Sequence, residues 1–201
     1  MMRKACVATL AACAIACSTS DAPLSSLPPS QLHFVLQDST APRLVSDSAS
    51  FYAKVGEDRR VELFYGGTVP GDTGEAFLEF LVRANSLLRR PNGTSFIPGD
   101  SILITVAVAN PTKFDFIFSP AGLQFNPNDP ARLHVEYNHA NHDYNGDGHH
   151  DSEDDHAQTL LSFWRLEPPD TLWTNVGAVN SEDFEELETD IFSFSHYAVA
   201  W

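Results

Sequence analysis

Residues 143–154 read DYNGDGHHDSED. Asp143, Asn145, Asp147, Asp151 and Asp154 stand at positions 1, 3, 5, 9 and 12 of a twelve-residue loop, with Gly148 at position 6. Calcium is a hard cation that takes about six to eight oxygens. A short loop wraps such an ion only if alternate side chains turn inward and a glycine takes the sharp bend. The backbone carbonyl of His149 falls at position 7, where a main-chain oxygen completes the shell. The pattern predicts a calcium site made of Asp143, Asn145, Asp147, His149, Asp151 and Asp154. The alternative is an acidic, solvated hairpin tip.

This is the spacing of an EF-hand-type loop. Asp154 is shorter than the glutamate usual at position 12 and reaches with one oxygen less. His150 occupies position 8, where paired EF-hands place an apolar residue that joins two loops. A solitary loop is expected, as in dockerin-like and other extracellular calcium modules. Such modules bind at ~10⁻⁴ to 10⁻³ M, which suits permanent filling and a structural role.

Histidines crowd the same region: His134, His139, His142, His149, His150 and His156. Imidazole prefers zinc, copper or nickel to calcium. His139 and His142 with His149 or His156 make the alternative metal set, for Zn2+. Their spacing is irregular and no H-E-x-x-H pattern occurs. Surface histidines on a polar loop are the ordinary reading.

Nothing else in the chain has catalytic spacing. There is no G-x-S-x-G, no nucleophile–base pair and no zincin motif, and carboxylates tied to calcium are held ionised, so no enzyme is expected. The six carboxylates of residues 181–190, SEDFEELETD, lack a calcium-loop glycine and read as a solvated connection. Trp164, Trp173 and Trp201 read as core or edge packing rather than a carbohydrate platform.

The chain begins as an export signal. Arg3 and Lys4 precede an apolar run, residues 5–16, too short for the ~20 residues that span a bilayer. Residues 14–17, AIAC, and 10–13, LAAC, both resemble a bacterial lipobox, so Cys17 is expected to carry the lipid, with Cys13 as the alternative. All three cysteines, Cys6 included, lie here. The exported domain therefore folds without disulfides. The formal charge is −15 and becomes −17 once the leader is removed, with 27 acids against 10 bases. Such a surface repels nucleic acid and anionic headgroups and attracts divalent cations. The membrane is a partner through the lipid alone, in the bacterial cell envelope, at the outer membrane or cell surface. A protein or glycan partner is compatible with this surface, and the sequence does not name one.

Residues 18–49 are rich in Ser, Pro, Ala and Asp and read as a tether. Within it, residues 31–37, QLHFVLQ, have the pattern of an edge strand. From residue 50 short apolar or alternating runs are separated by turn residues, as at 55–59 and 91–94. Strands are expected at 51–55, 59–65, 76–82, 101–109, 113–119, 132–137, 160–166 and 191–200. No long stretch has helical period. The reading is all-β: one antiparallel β-sandwich over 50–201, with the acidic loop inserted.

The order of five segments then becomes specific. Ala84-Asn85-Ser86-Leu87 is followed by Ile104-Thr105-Val106, by Pro120-Ala121-Gly122-Leu123-Gln124-Phe125, by the stretch from Pro130 to Tyr137, and by the closing stretch from Ser193 to Val199. This resembles the β-sandwich domain of ankyrins, netrin receptors and tight-junction scaffold proteins, over roughly residues 75–201, and its bacterial lipoprotein relatives most closely. Those relatives look as if they carry a calcium loop in this place, whereas ankyrin-type ones do not. Some members cleave their own backbone at His-Phe-Ser. Here Ser193 precedes Phe194 and Ser195, so the activating base is missing and cleavage is not expected. Phe192, Phe194 and Tyr197 read as core packing of the last strand. The function expected is that of a non-enzymatic envelope lipoprotein that binds or scaffolds. The alternative is a zinc or copper capture protein using the His-rich loop.

Overall fold

In the stretch ARLHVE every second residue is apolar, the period of a strand with one face covered. It forms a strand in which Ala131, Leu133 and Val135 are buried while Arg132, His134 and Glu136 face outward. The same arithmetic runs through the chain. The computed structural model describes residues 25–67 and 74–201. The strands are β1 (Ser26–Leu27), β2 (Ser48–Lys54), β3 (Arg59–Phe64), β4 (Ala76–Val82), β5 (Leu87–Arg89), β6 (Ser101–Val108) and β7 (Asp115–Ser119). They continue with β8 (Gln124–Phe125), β9 (Ala131–Glu136), β10 (Ser162–Leu166), β11 (Trp173–Asn175), β12 (Val179–Ser181), β13 (Glu186–Ile191) and β14 (His196–Ala200). One α-helix, α1 (Ser152–Thr159), lies between β9 and β10.

The protein is all-β with antiparallel pairing. Seven strands form one sheet in the order β1-β11-β10-β14-β7-β6-β2, five form another in the order β12-β13-β9-β4-β3, and β5 pairs with β8. Rings from the two large sheets meet directly. Phe77 of β4 lies 5.8 Å from Phe116 of β7, and Phe80 lies 5.1 Å from Phe118, centroid to centroid. Phe125 and Phe194 join this cluster. It is the centre of the core and the reason the chain is rich in phenylalanine.

β10 and β14 are covered on both faces. Phe163, Tyr197 and Val199 enter the main core, while Trp164, Ala198 and Ala200 form a second cluster with Trp173 and Leu32. The cover comes from the N-terminal segment, and here the structure corrects the tether. Residues 25–49 are bound to the fold. Val35 N–H donates to Val199 O (3.0 Å), Gln37 N–H to Thr112 O (3.0 Å), and Leu32 and Val35 are buried. Its Ser and Pro content marks the turns of this strap, not freedom. The core thus begins well before residue 50. Residues 1–24, which include the expected signal segment 1–17 with Cys13 and Cys17, lie outside the described residues.

Three further expectations change. The acidic run 181–190 is not a solvated connection: its second half lies in β13, whose Leu187, Thr189 and Ile191 point inward while Glu186, Glu188 and Asp190 point out. The single strand expected at 191–200 is broken, because the chain crosses there from the five-stranded to the seven-stranded sheet. Residues 192–194 bond instead to 122–125, through Phe125 N–H to Phe192 O (2.8 Å) and Phe194 N–H to Leu123 O (2.8 Å). Phe194 and Tyr197 are buried, whereas Phe192 is half exposed. Trp164 and Trp173 pack inside, and Trp201 stacks on His33 at 4.4 Å.

Candidate metal centre

The acidic loop hangs between β9 and α1, and both ends are fixed. At its base Ala140 N–H donates to Tyr137 O (2.8 Å) and Asn141 N–H to Leu36 O (2.8 Å), which ties the loop to the N-terminal strap. Tyr144 is buried and belongs to the main core. Beyond the loop, Asn180 Nδ2 donates to Gln158 O (2.7 Å) and its Oδ1 accepts from the Tyr137 hydroxyl (2.8 Å), which clips α1 to β12.

Within these anchors the side-chain oxygens turn toward the loop's own backbone. Asp147 N–H donates to both Asp143 Oδ1 (3.0 Å) and Asn145 Oδ1 (2.9 Å), so the oxygens of positions 1 and 3 sit around one atom. Gly148 N–H donates to Asp143 Oδ2 (2.9 Å), and His149 N–H to Asp147 Oδ1 (2.9 Å). Gly148 has φ +89° and Gly146 φ +78°, the left-handed region that a side chain would strain. That is why glycine stands at position 6.

Asp154 closes the ring. Its Oδ1 accepts from Asn145 N–H (3.1 Å) and its Oδ2 from Asp151 N–H (3.0 Å), and its side chain is fully buried. Desolvation is the largest influence on it and raises its pKa. The backbone N–H groups of Asn145, Asp151 and Tyr144, together with nearby His150, outweigh this and hold the carboxyl below its ordinary value. Asp154 also completes a capping box with Asp151, whose Oδ1 accepts from Glu153 N–H (2.8 Å). Glu153, Asp154 and Asp155 in the first turn match the positive end of the helix. This explains a helix that no periodicity announced: it is held by its cap, and only Ala157 and Asp154 are buried.

The loop therefore brings the side-chain oxygens of positions 1 and 3 together and returns position 12 to the backbone of position 3, while Asp151 is turned to the helix and Asp147 and His149 are exposed. Among the described residues no three His, Cys, Asp or Glu side chains stand grouped as metal ligands. The donor chemistry is nonetheless oxygen throughout, with one carboxylate buried in ionised form. That set fits a hard divalent cation and does not fit zinc.

Four of the six histidines pair separately. His139 Nε2 lies 2.8 Å from Glu75 Oε2, His142 Nε2 lies 2.8 Å from Glu185 Oε1, and His134 and His150 face Glu186 and Asp155. The set of His139 and His142 with His149 or His156 is not assembled. Glu185, from the acidic run, goes to His142 and not to the loop. At the closing segment, Arg165 donates to Ser193 Oγ (3.1 Å) and the Ser195 hydroxyl bonds to the Leu166 carbonyl, so neither serine meets a base. No family model matches the chain, and neither a curated protein nor a solved structure gives a match.

Proposed function

We propose that this chain is a non-enzymatic lipoprotein of the bacterial cell envelope, anchored through Cys17, whose β-sandwich is stabilised by one calcium ion and serves binding or scaffolding. In this reading the two large sheets are the layers of a sandwich of the ankyrin and netrin-receptor kind. Asp143, Asn145, Asp147, the His149 carbonyl, Asp151 and Asp154 hold the ion. The ion supplies charge neutralisation where six acids crowd into residues 143–155. The protein's own residues do the rest: the strap fixes the base, Gly148 makes the bend, and α1 presents Asp154.

The observation that carries the reading is the buried Asp154 carboxylate, returned across nine residues to the Asn145 N–H. A solvated tip has no reason to bury an ionised group. Binding to the folded state raises stability by RT ln(1 + [L]/Kd), about 1.4–2.7 kcal/mol at ten to a hundred times Kd. For a domain of this size that is a rise in Tm of roughly 3–10 °C. Calorimetry in chelator and then in millimolar calcium measures it, with zinc silent. Asp147→Ala removes the rise and leaves the domain folded. A variant as calcium-responsive as the natural chain would refute the ligand set. Labelling of cells with a fatty-acid probe tests the anchor: Cys17→Ser loses the label, and a label that stays on that variant moves the site to Cys13.

A further inference from the structure

Strand β2 ends the seven-stranded sheet and pairs with β6 along one side. Backbone bonds from Val108 N–H to Asp47 O (2.8 Å) and from Val55 N–H to Asp100 O (2.9 Å) fix the phase of that ladder. In an antiparallel ladder the residues that exchange bonds alternate with those that do not. In the observed register, with Phe51 opposite Ile104, the residues that turn toward β6 are therefore Ala49, Phe51 and Ala53. Ser48, Ser50, Tyr52 and Lys54 turn their main-chain groups the other way. The Ser46 hydroxyl takes both groups of Ser48 (3.4 and 2.7 Å), and Glu57 N–H takes Lys54 O (3.2 Å). Ser50 and Tyr52 are left with open N–H and C=O groups, and among the described residues no strand pairs with them.

The surface around this edge has an unusual composition for so acidic a chain. β2 is SASFYAK and β6 is SILITVAV, with one cation and no carboxylate between them. Outward from them stand Tyr52, 65% exposed, Leu103, 48%, and Ile117 of β7, 44%, beside the Ser50–Thr105 hydroxyl pair at 2.7 Å. The outer strand of the other sheet, β3, carries Arg59, Arg60 and Glu62, the charged side chains that protect an edge from pairing. β2 has no such protection over its central residues.

The geometry points to β2 as a two-fold pairing surface for a second copy of this chain. A two-fold axis at Phe51 sets Ser50 against the second copy's Tyr52, and the reverse, which supplies four main-chain hydrogen bonds. It sets Lys54 against Ser48, so no like charges oppose one another. Two copies at −15 repel over most of their surfaces. The carboxylate-free strip of β2 and β6 is where they approach at least cost, and it matches itself under the axis, as an isologous dimer requires. The two sheets then run on as one, by the main-chain chemistry of strand addition.

Sedimentation equilibrium of the full chain in density-matched detergent tests this from micromolar to millimolar protein. A monomer–dimer equilibrium is expected, tightening as salt rises, because salt screens the net repulsion and the contact itself is uncharged. Ser50→Pro removes an open N–H without touching a bond to β6. Ser50→Lys puts two new cations near the axis and keeps the backbone intact. Both variants lose the dimer, while Ser50→Ala, which drops the Thr105 hydroxyl bond alone, keeps it. Matching melting curves for Ser50→Lys and the natural chain exclude unfolding as the cause. A natural chain that stays monomeric throughout overturns the inference. So does a dimer that survives both Ser50→Pro and Ser50→Lys, or an association that weakens with salt.

Discussion

Asp154 holds a negative charge where water does not reach it, because backbone N–H groups take water's place. It is at once the last residue of the acidic pattern and a cap of α1. Its loss should therefore be felt twice. Asp154→Asn abolishes the calcium response, as Asp147→Ala does, but it also lowers Tm in chelator, where Asp147→Ala changes little. Melting both variants in chelator separates scaffold from ligand. Asp100 shows a simpler pairing. The Ile97 N–H (3.1 Å) and then Arg90 (2.8 Å) hold its carboxyl below the ordinary value of 3.8. A lowered carboxyl contributes stability above the unfolded value and loses it as pH falls through the folded one. Asp100→Asn should lower Tm at neutral pH and converge with the natural chain in strong acid, read from Tm against pH. The spacing of the loop donors was legible in the sequence, since it is local. The histidine partners were not: Glu75 and Glu185 stand 64 and 43 residues from His139 and His142.

At the level of elements, alternation was the readable signal. Strand β9 announces itself because its apolar residues recur every second position, and β4, β6 and β7 because they are short apolar runs bounded by turn residues. β13 has the same period in E-L-E-T-D-I, but the density of acid masks it when composition is weighed before periodicity. The strap was only half legible: residues 31–37 have the pattern of an edge strand, but the Pro and Ser around them suggest freedom, and the anchors Leu32, Phe34 and Val35 are fixed by contacts with the far end of the chain. These assignments have measurable costs. Leu187→Ala, at a fully buried site, should cost about 2–5 kcal/mol in denaturant unfolding. Leu32→Ala should cost about 2 kcal/mol if the strap is structural, and nothing if it is a tether.

For the whole molecule, acid outnumbers base by 27 to 12. Much of the base is already paired, as Lys54 and Arg59 are with Glu57 and Arg132 is with Glu188. The excess acid repels itself across the surface. Raising monovalent salt from about 0.01 to 0.15 M shortens the screening length from about 30 to 8 Å and should raise Tm. Calcium at equal ionic strength should raise it further, since specific filling adds to screening. The placement of β14 reaches beyond stability. It is the last strand in the sequence, yet it lies between β10 and β7 and gives Val199 and Trp201 to the strap. A nascent chain that has not yet released residues 196–201 from the ribosome or a translocation channel cannot join the two halves of its larger sheet. Until β14 emerges, β10 and β7 have no partner between them, so a chain cut before residue 196 keeps two open strand edges where the intact one has none.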